Sequence, residues 1–437
     1  MEQRTERYAA TLAEMIRHET VSRAAETEPG KFKEFRSLLK ELFPALFGLC
    51  GMIEFENGFV LRWKGRDENK APVLFMNHHD VVEAGGNWKT DPFSGAVKEG
   101  RIWGRGTLDD KGGLWAMLQA AEEMIEEGFV PGGDIWFSSS STEETTGKGA
   151  EEIARWFESN GVRFRMSFDE GGFIVDEPVP GAKGSFALIG VGEKGCADLR
   201  FVARSNGGHS SMPEKNSPLV RLGKFMAEAD ESLIFTCEIN PAVCEMLRRF
   251  SARMGEAGAL FAHPEDNRET LCQILSASPK TAALLRTTLA FTMAHGSEGT
   301  NVIPAEAWVV GNMRFSHHQG QKGSFEAVRM LAEKYGIEMQ VLDPGTPSGL
   351  TNHDGTAFRL TEDALAAVFP GIIPTPYLLT GASDSRFFDG VCDQCIRFLP
   401  FLVDDSQAAS IHGLNENLNL DSLAPAVDFY KLLMKAE

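Results

Sequence analysis

Apolar side chains recur at helical spacing over residues 5–20 and again over 31–48, where Phe35, Leu38, Leu39, Leu42 and Phe43 share one face. After them the pattern shortens. Met52-Ile-Glu-Phe55 and Phe59-Val-Leu-Arg-Trp63 flank the turn pair Asn57-Gly58 and predict two strands. Pro72-Val-Leu-Phe-Met76 is apolar without alternation, the pattern of a strand covered on both faces. A helix is predicted over 112–128, a strand at 134–138, a helix over 150–158 and a strand at 165–168. Strand, helix, strand, helix, strand predicts an α/β domain, a mostly parallel sheet flanked by helices. Ligands of such sheets sit beyond the carboxyl ends of the strands.

From about residue 185 the texture changes to alternating runs, Ser185–Val191 and Ala197–Ala203. A helix over 216–230, a long helical stretch over 241–296, a strand at 305–314, a helix over 322–335 and a strand at 338–342 are predicted to follow. Strand–helix–strand–strand–helix–strand fits a small ferredoxin-like α+β module. The expected organisation is a discontinuous domain of residues 1–190 and 344–437 with residues 191–343 inserted into it.

Composition narrows the partners. Of 437 residues 43 are basic and 62 acidic, a net charge of −19, which disfavours nucleic acid and anionic membranes because both need basic patches. No apolar run reaches the roughly 18 residues a membrane span needs. The charged start Met1-Glu-Gln-Arg-Thr-Glu-Arg-Tyr8 does not read as a signal peptide. Seven scattered cysteines suit a reducing compartment, and a cytoplasmic protein is expected. Cys392-Asp-Gln-Cys395 has no second pair to make a zinc ribbon and is read as two ordinary thiols.

The candidate chemistry lies in five clusters, most of them just after predicted strands. His78-His79-Asp80 offers an imidazole with a carboxylate two residues on, a ligand and the group that fixes its tautomer. Gly104-Arg-Gly-Thr-Leu-Asp109-Asp110-Lys-Gly-Gly113 opens a helix; it lacks the phosphate-loop pattern, and its carboxylates favour a metal over a phosphate. Asp110 also suits a helix N-terminus without any ligand. Glu143-Glu144 can divide metal binding and proton transfer, or be a solvated turn. Asp169-Glu170 and His412-Gly-Leu-Asn-Glu416 complete the set. Imidazole and carboxylate ligands without cysteine suit zinc, cobalt or manganese, and five ligands suit two ions sharing a bridging carboxylate.

Taken in order, these residues resemble the motifs H-x-D-V-V, G-R-G-x-x-D-x-K-G, D-E-E, a later acid and H-x-x-N-E of the di-zinc metallopeptidases that include aminoacylase, glutamate carboxypeptidase, acetylornithine deacetylase and succinyl-diaminopimelate desuccinylase. The resemblance covers nearly the whole chain. It implies that His78 and Glu170 (or Asp169 beside it) hold one ion, Glu144 and His412 the other, that Asp109 bridges them and Asp80 orients His78. It implies Glu143 as general base. The inserted segment Gly207-Gly-His209-Ser-Ser-Met-Pro213 resembles one whose histidine stabilises the oxyanion in a neighbouring subunit, so a homodimer through that domain, acting as a lid, is implied. Asn301, Arg314, Ser383 and Arg386 fall in segments that resemble substrate-contacting ones. Three positions depart from the motifs: His79, Thr142, and Ala382-Ser383 in place of Gly-Thr.

The expected reaction is hydrolysis of an amide in an N-acyl amino acid or a short peptide with a free carboxylate. It would use two zinc ions per subunit, with cobalt or manganese as alternatives. A dipeptidase or aminopeptidase is the competing expectation and would need an acid facing a free substrate amine. A two-metal phosphoesterase and a catalytically silent metal-bound scaffold have less behind them.

Overall fold

The computed structural model describes residues 2–23, 29–232 and 234–436. Its largest element is an eight-stranded sheet in the order Met52–Phe55, Gly58–Trp63, Ile135–Ser140, Val73–Met76, Met166–Asp176, Cys395–Leu402, Ser185–Glu193, Ile373–Leu379. The four strands at its centre, from Ile135–Ser140 to Cys395–Leu402, run parallel; their outer neighbours Gly58–Trp63 and Ser185–Glu193 pair with them antiparallel, and Ile373–Leu379 at the far edge runs parallel to Ser185–Glu193. Val73–Met76 is wholly buried, as its unalternating sequence requires. The fold is therefore α/β with a mostly parallel central sheet.

Helix Lys111–Glu126 covers one face and is itself buried along nearly its whole length. Helices Glu2–Arg17, Pro44–Leu49 and Leu423–Lys435 pack against it. Phe75 anchors this core: its ring lies 5.1 Å from that of Phe168 and 6.0 Å from that of Phe137. Helix Lys148–Ser159 covers part of the other face through Ile153, Ala154 and Phe157.

A second, antiparallel sheet has the order Thr288–His295, Glu306–Phe315, Gly195–Arg204, Glu338–Asp343. Helices Pro218–Glu231 and Gly320–Lys334 share its apolar cluster through Leu222, Phe225, Phe325 and Val328. In chain order this is strand–helix–strand–strand–helix–strand.

The structure corrects three expected elements. The stretch 241–296 is not continuously helical. Helices Pro241–Ser251, Gly258–Ala262, Arg268–Ser276 and Pro279–Leu285 are followed by the strand Thr288–His295. Prolines at the first turn restart two of these helices, and Thr288, Phe291 and Thr292 favour extended pairing with Glu306–Phe315. The helix expected over 31–48 ends at Leu42, because Pro44 cannot continue it and instead begins Pro44–Leu49. The strand expected at 165–168 runs on as Met166–Asp176. The helices between 241 and 285 bury Val243, Leu247, Leu271 and Leu285 with Phe186 and Leu378 of the large sheet. Among the described residues no helix is long and apolar enough to cross a membrane.

Candidate metal centre

The parallel strands aim their following loops at one place. Val73–Met76 delivers His78 and Asp80, and Ile135–Ser140 delivers Glu143 and Glu144. Glu170 arrives differently. Asp169 pairs with Arg397 and Gly172 with the next residue, Phe398, so Glu170 and Gly171 form a bulge in the strand. Bulges re-aim side chains. Gly171 adopts φ +145°, and a Cβ there would lie 2.4 Å from Leu379 Cδ2. Glu170 consequently lines the cavity, while Asp169 turns away and accepts the Ser385 amide at 2.8 Å.

Asp109 lies between two imidazoles. Its Oδ1 is 3.0 Å from His78 Nε2 and its Oδ2 3.1 Å from His412 Nε2. His412 Nε2 is also 2.9 Å from Glu144 Oε2. His78 Nδ1 faces Asp80, 3.0 Å from its carbonyl and 3.3 Å from its Oδ1. Asp80 is fully buried, and its carboxylate accepts Ser22 Oγ at 2.6 Å and the amides of Glu143 and Glu144 at 3.2 Å each. One carboxylate thus orients His78 and places both glutamates.

Ligating atoms of His78, Asp109 and Glu144, and of His78, Glu143 and Glu170, lie within 4.8 Å of one another. The donor set contains only imidazoles and carboxylates. Glu144 Oε1 is buried with no hydrogen-bond partner, which a cation would satisfy. The residues fit a metal centre on both counts.

The electrostatics point the same way. Burial, then the charge of Asp109, pushes the Glu144 and Glu170 carboxyls up. Burial pushes Glu143 well up. Asp109 moves down: burial opposes it, but the hydrogen bonds with His412 and His78 prevail. Those with Asp109 and Glu144 raise His412 to about 10. Four carboxylates this close, with two imidazoles between them, form a site built for positive charge.

The loop carrying Asp109 is held by a partnership that local sequence does not reveal. Glu416 is fully buried and pairs with Arg105 at 2.7 Å. It also accepts the amides of Gly106, Leu108 and Asp109. Arg105 reaches the Gly413 carbonyl at 2.7 Å, tying in the loop of His412. Both residues belong to recognisable motifs, so their positions were visible, but not their pairing.

Beside the centre lies a cavity of about 890 Å³. Glu170 of the large sheet, with Asp109, Glu143, Glu144, Arg386 and His412 from the segments around it, forms one side; strands of the second sheet contribute Asp198, Asn312, Arg314 and Asp343. His209, Asn301 and Ser383 are not part of this wall. His209 is exposed, paired with Val302 and bonded to Ser211. Ser383 is fully buried, and its hydroxyl donates to Glu193 at 2.6 Å. Glu193 in turn pairs with the buried Arg397 at 2.9 Å, an ion pair no motif announced. His79 is also fully buried, stacked on Phe35 with its Nδ1 at Ser139 Oγ, so it is a core residue. Asp198 and Asp343 were missed because only strand pairing puts them side by side.

Residues 74–436 match the profile of peptidase family M20/M25/M40. The chain belongs to this family and is a metal-dependent amidohydrolase or peptidase. It is 29% identical over 425 residues to a probable carboxypeptidase S-like 2 of Dictyostelium discoideum, covering 93% of this chain and 79% of that one. It is 29% identical over 413 residues to the human N-fatty-acyl-amino acid synthase/hydrolase PM20D1, covering 92% and 82%. Its fold is shared with the M20 family metallo-carboxypeptidase Sso-CP2 from Sulfolobus solfataricus, with a TM-score of 0.73, 18% identity and 98% of each chain covered.

Proposed function

We propose that this enzyme hydrolyses the amide bond of N-acyl amino acids, or of short peptides with a free carboxylate, at a centre of two metal ions, zinc first among them. The observation that carries the reading is the Asp109 carboxylate, which gives one oxygen to His78 and the other to His412. His78 and Glu170 would hold one ion, Glu144 and His412 the other, and Asp109 both. Bound there, the metals supply a Lewis acid and lower the pKa of water.

The chain's own groups do the rest. Glu143 takes a proton from the attacking water and returns it to the leaving nitrogen. Its buried setting raises its proton affinity toward what that exchange needs. Arg386, 3.7 Å from Glu143 Oε1, and Arg314, which also lines the cavity, would grip the substrate carboxylate. Names of relatives at 29% identity, a probable carboxypeptidase and an N-fatty-acyl-amino acid synthase/hydrolase, support this substrate class. We also propose a homodimer through the second sheet, with the exposed His209 acting in the partner's cavity to stabilise the oxyanion.

A second reading has its own observation. Asp198 and Asp343, paired across strands on the cavity wall, offer acids to a free amine and favour a dipeptide. Turnover of an N-acyl amino acid set against that of the corresponding dipeptide decides between them. Glu143→Gln is expected to lower kcat by at least about 100-fold while metal content stays at the wild-type level. An active E143Q enzyme would remove Glu143 from the mechanism.

A further inference from the structure

Of the seven cysteines, two meet at the surface. Cys237 Sγ and Cys272 Sγ lie 2.6 Å apart although the residues are 35 apart in sequence. Cys237 is exposed and Cys272 half-buried, whereas the C-x-x-C pair Cys392 and Cys395 is buried. No step of the proposed hydrolysis uses either surface thiol.

Their place in the fold gives the contact meaning. Segment 234–240 carries the chain from one apolar cluster to the other. Phe235 is buried beneath the second sheet with Phe325 and Val328. Ile239, four residues on, is buried with Val243 and Leu271 in the helical block on the large sheet. Cys237 stands midway. Either side of it, Gln319 Oε1 accepts the Thr236 amide at 3.2 Å, His318 Nε2 donates to the Thr236 carbonyl at 3.0 Å, and the Glu238 amide donates to the Leu285 carbonyl at 2.9 Å. Cys272 lies in the helix Arg268–Ser276, whose Leu271 and Leu275 anchor it in the block.

We propose that Cys237 and Cys272 form a reversible disulfide, making this crossover a thiol-oxidation site that staples segment 234–240 to the helix Arg268–Ser276. The oxidant is a low-molecular-weight disulfide. The Cys237 thiolate attacks one of its sulfurs, a mixed disulfide forms and one small thiolate leaves. Cys272 then loses its proton and attacks Cys237 Sγ, the second small thiolate leaves, and the two small thiolates take up the protons given up by Cys237 and Cys272. Two electrons pass from the protein thiols to the small disulfide, which ends as two thiols. Burial, reinforced by the contact with Cys237, pushes the Cys272 thiol up to about 12, so the exposed Cys237 attacks first. Closing this loop removes open arrangements of the chain. It does so where the two sheets that wall the cavity are joined.

The test uses full-length, metal-loaded protein equilibrated with oxidised glutathione, digested without reductant and mapped by mass spectrometry. A cross-linked Cys237–Cys272 peptide pair, two hydrogens lighter than the reduced pair and lost on adding dithiothreitol, is the expected result. Hydrogen exchange in the oxidised protein slows over 234–240 and 268–276. C272S is expected to retain glutathione on Cys237, and C237S to give no cross-link. Wild-type thiols that stay reduced, separate glutathione adducts on the two cysteines, or a cross-link with unchanged exchange in both segments would each overturn the proposal.

Discussion

Replacing Glu416 with Gln probes what holds the Asp109 carboxylate between His78 and His412. Glu416 Oε2 accepts Arg105 Nη1 at 2.7 Å and the Gly106 amide at 3.1 Å; Oε1 accepts the Leu108 amide at 2.8 Å and the Asp109 amide at 3.1 Å. Glutamine keeps the shape but has one acceptor oxygen. Whichever way its amide is turned, an NH2 group faces two donors, and Arg105, 2% exposed, loses its counter-charge. Removing one partner of a buried ion pair destabilises by about 3–5 kcal/mol. Under the proposed assignment Asp109 is a metal ligand whose backbone amide Glu416 holds, and losing such an outer partner is expected to lower metal affinity by about 10–100-fold. Because Arg105 also grips Gly413, the displacement reaches His412 from the other side. Urea denaturation measures the first effect, and competition against a chromophoric chelator the second. E416Q with wild-type stability and wild-type metal affinity would refute the reasoning, since four converging donors would then have no consequence.

Phe75→Ala, in the centre of the parallel strands, is expected to lower unfolding free energy by about 3–5 kcal/mol, because the ring is fully buried among Phe137, Phe168 and Tyr430; a loss under about 1 kcal/mol in denaturant titration contradicts that packing. Metal uptake near neutral pH is expected to release protons. His412 is raised from 6.5 to about 10, so its pairing supports the metal-free fold below pH 6.5 and is lost as pH rises through about 10. A ligating imidazole must be deprotonated, so metal affinity climbs over the same interval. Calorimetric titration in buffers of different ionisation enthalpy checks this, and a buffer-independent heat opposes it.

The local pattern carried much of the architecture. Val73–Met76 is legible as a buried strand because a two-sided environment leaves no polar alternation. Helix Lys111–Glu126 is legible because its apolar periodicity is long. The candidate ligands were legible as residues, since His78, Asp109, Glu144, Glu170 and His412 each sit in a short motif of metal-binding side chains, although no motif shows which of them meet. Legibility failed where a residue's state depends on a distant partner. Thr288–His295 reads as helix until Glu306–Phe315 supplies its ladder. The strand after Arg165 reads as ending at Phe168 until pairing with Cys395–Leu402 shows a bulge.

What the chain determines by itself, then, is which side chains can bind a metal and which segments are helical or extended, because those depend on residue chemistry and near-neighbour spacing. Tertiary structure alone decided that Asp109 faces His78 and His412 together, that Glu416 meets Arg105, and that Ser383 turns inward to Glu193. These are contacts between residues up to about 300 positions apart. Their geometry follows from how a buried sheet and its helices close around one core, which no local window contains.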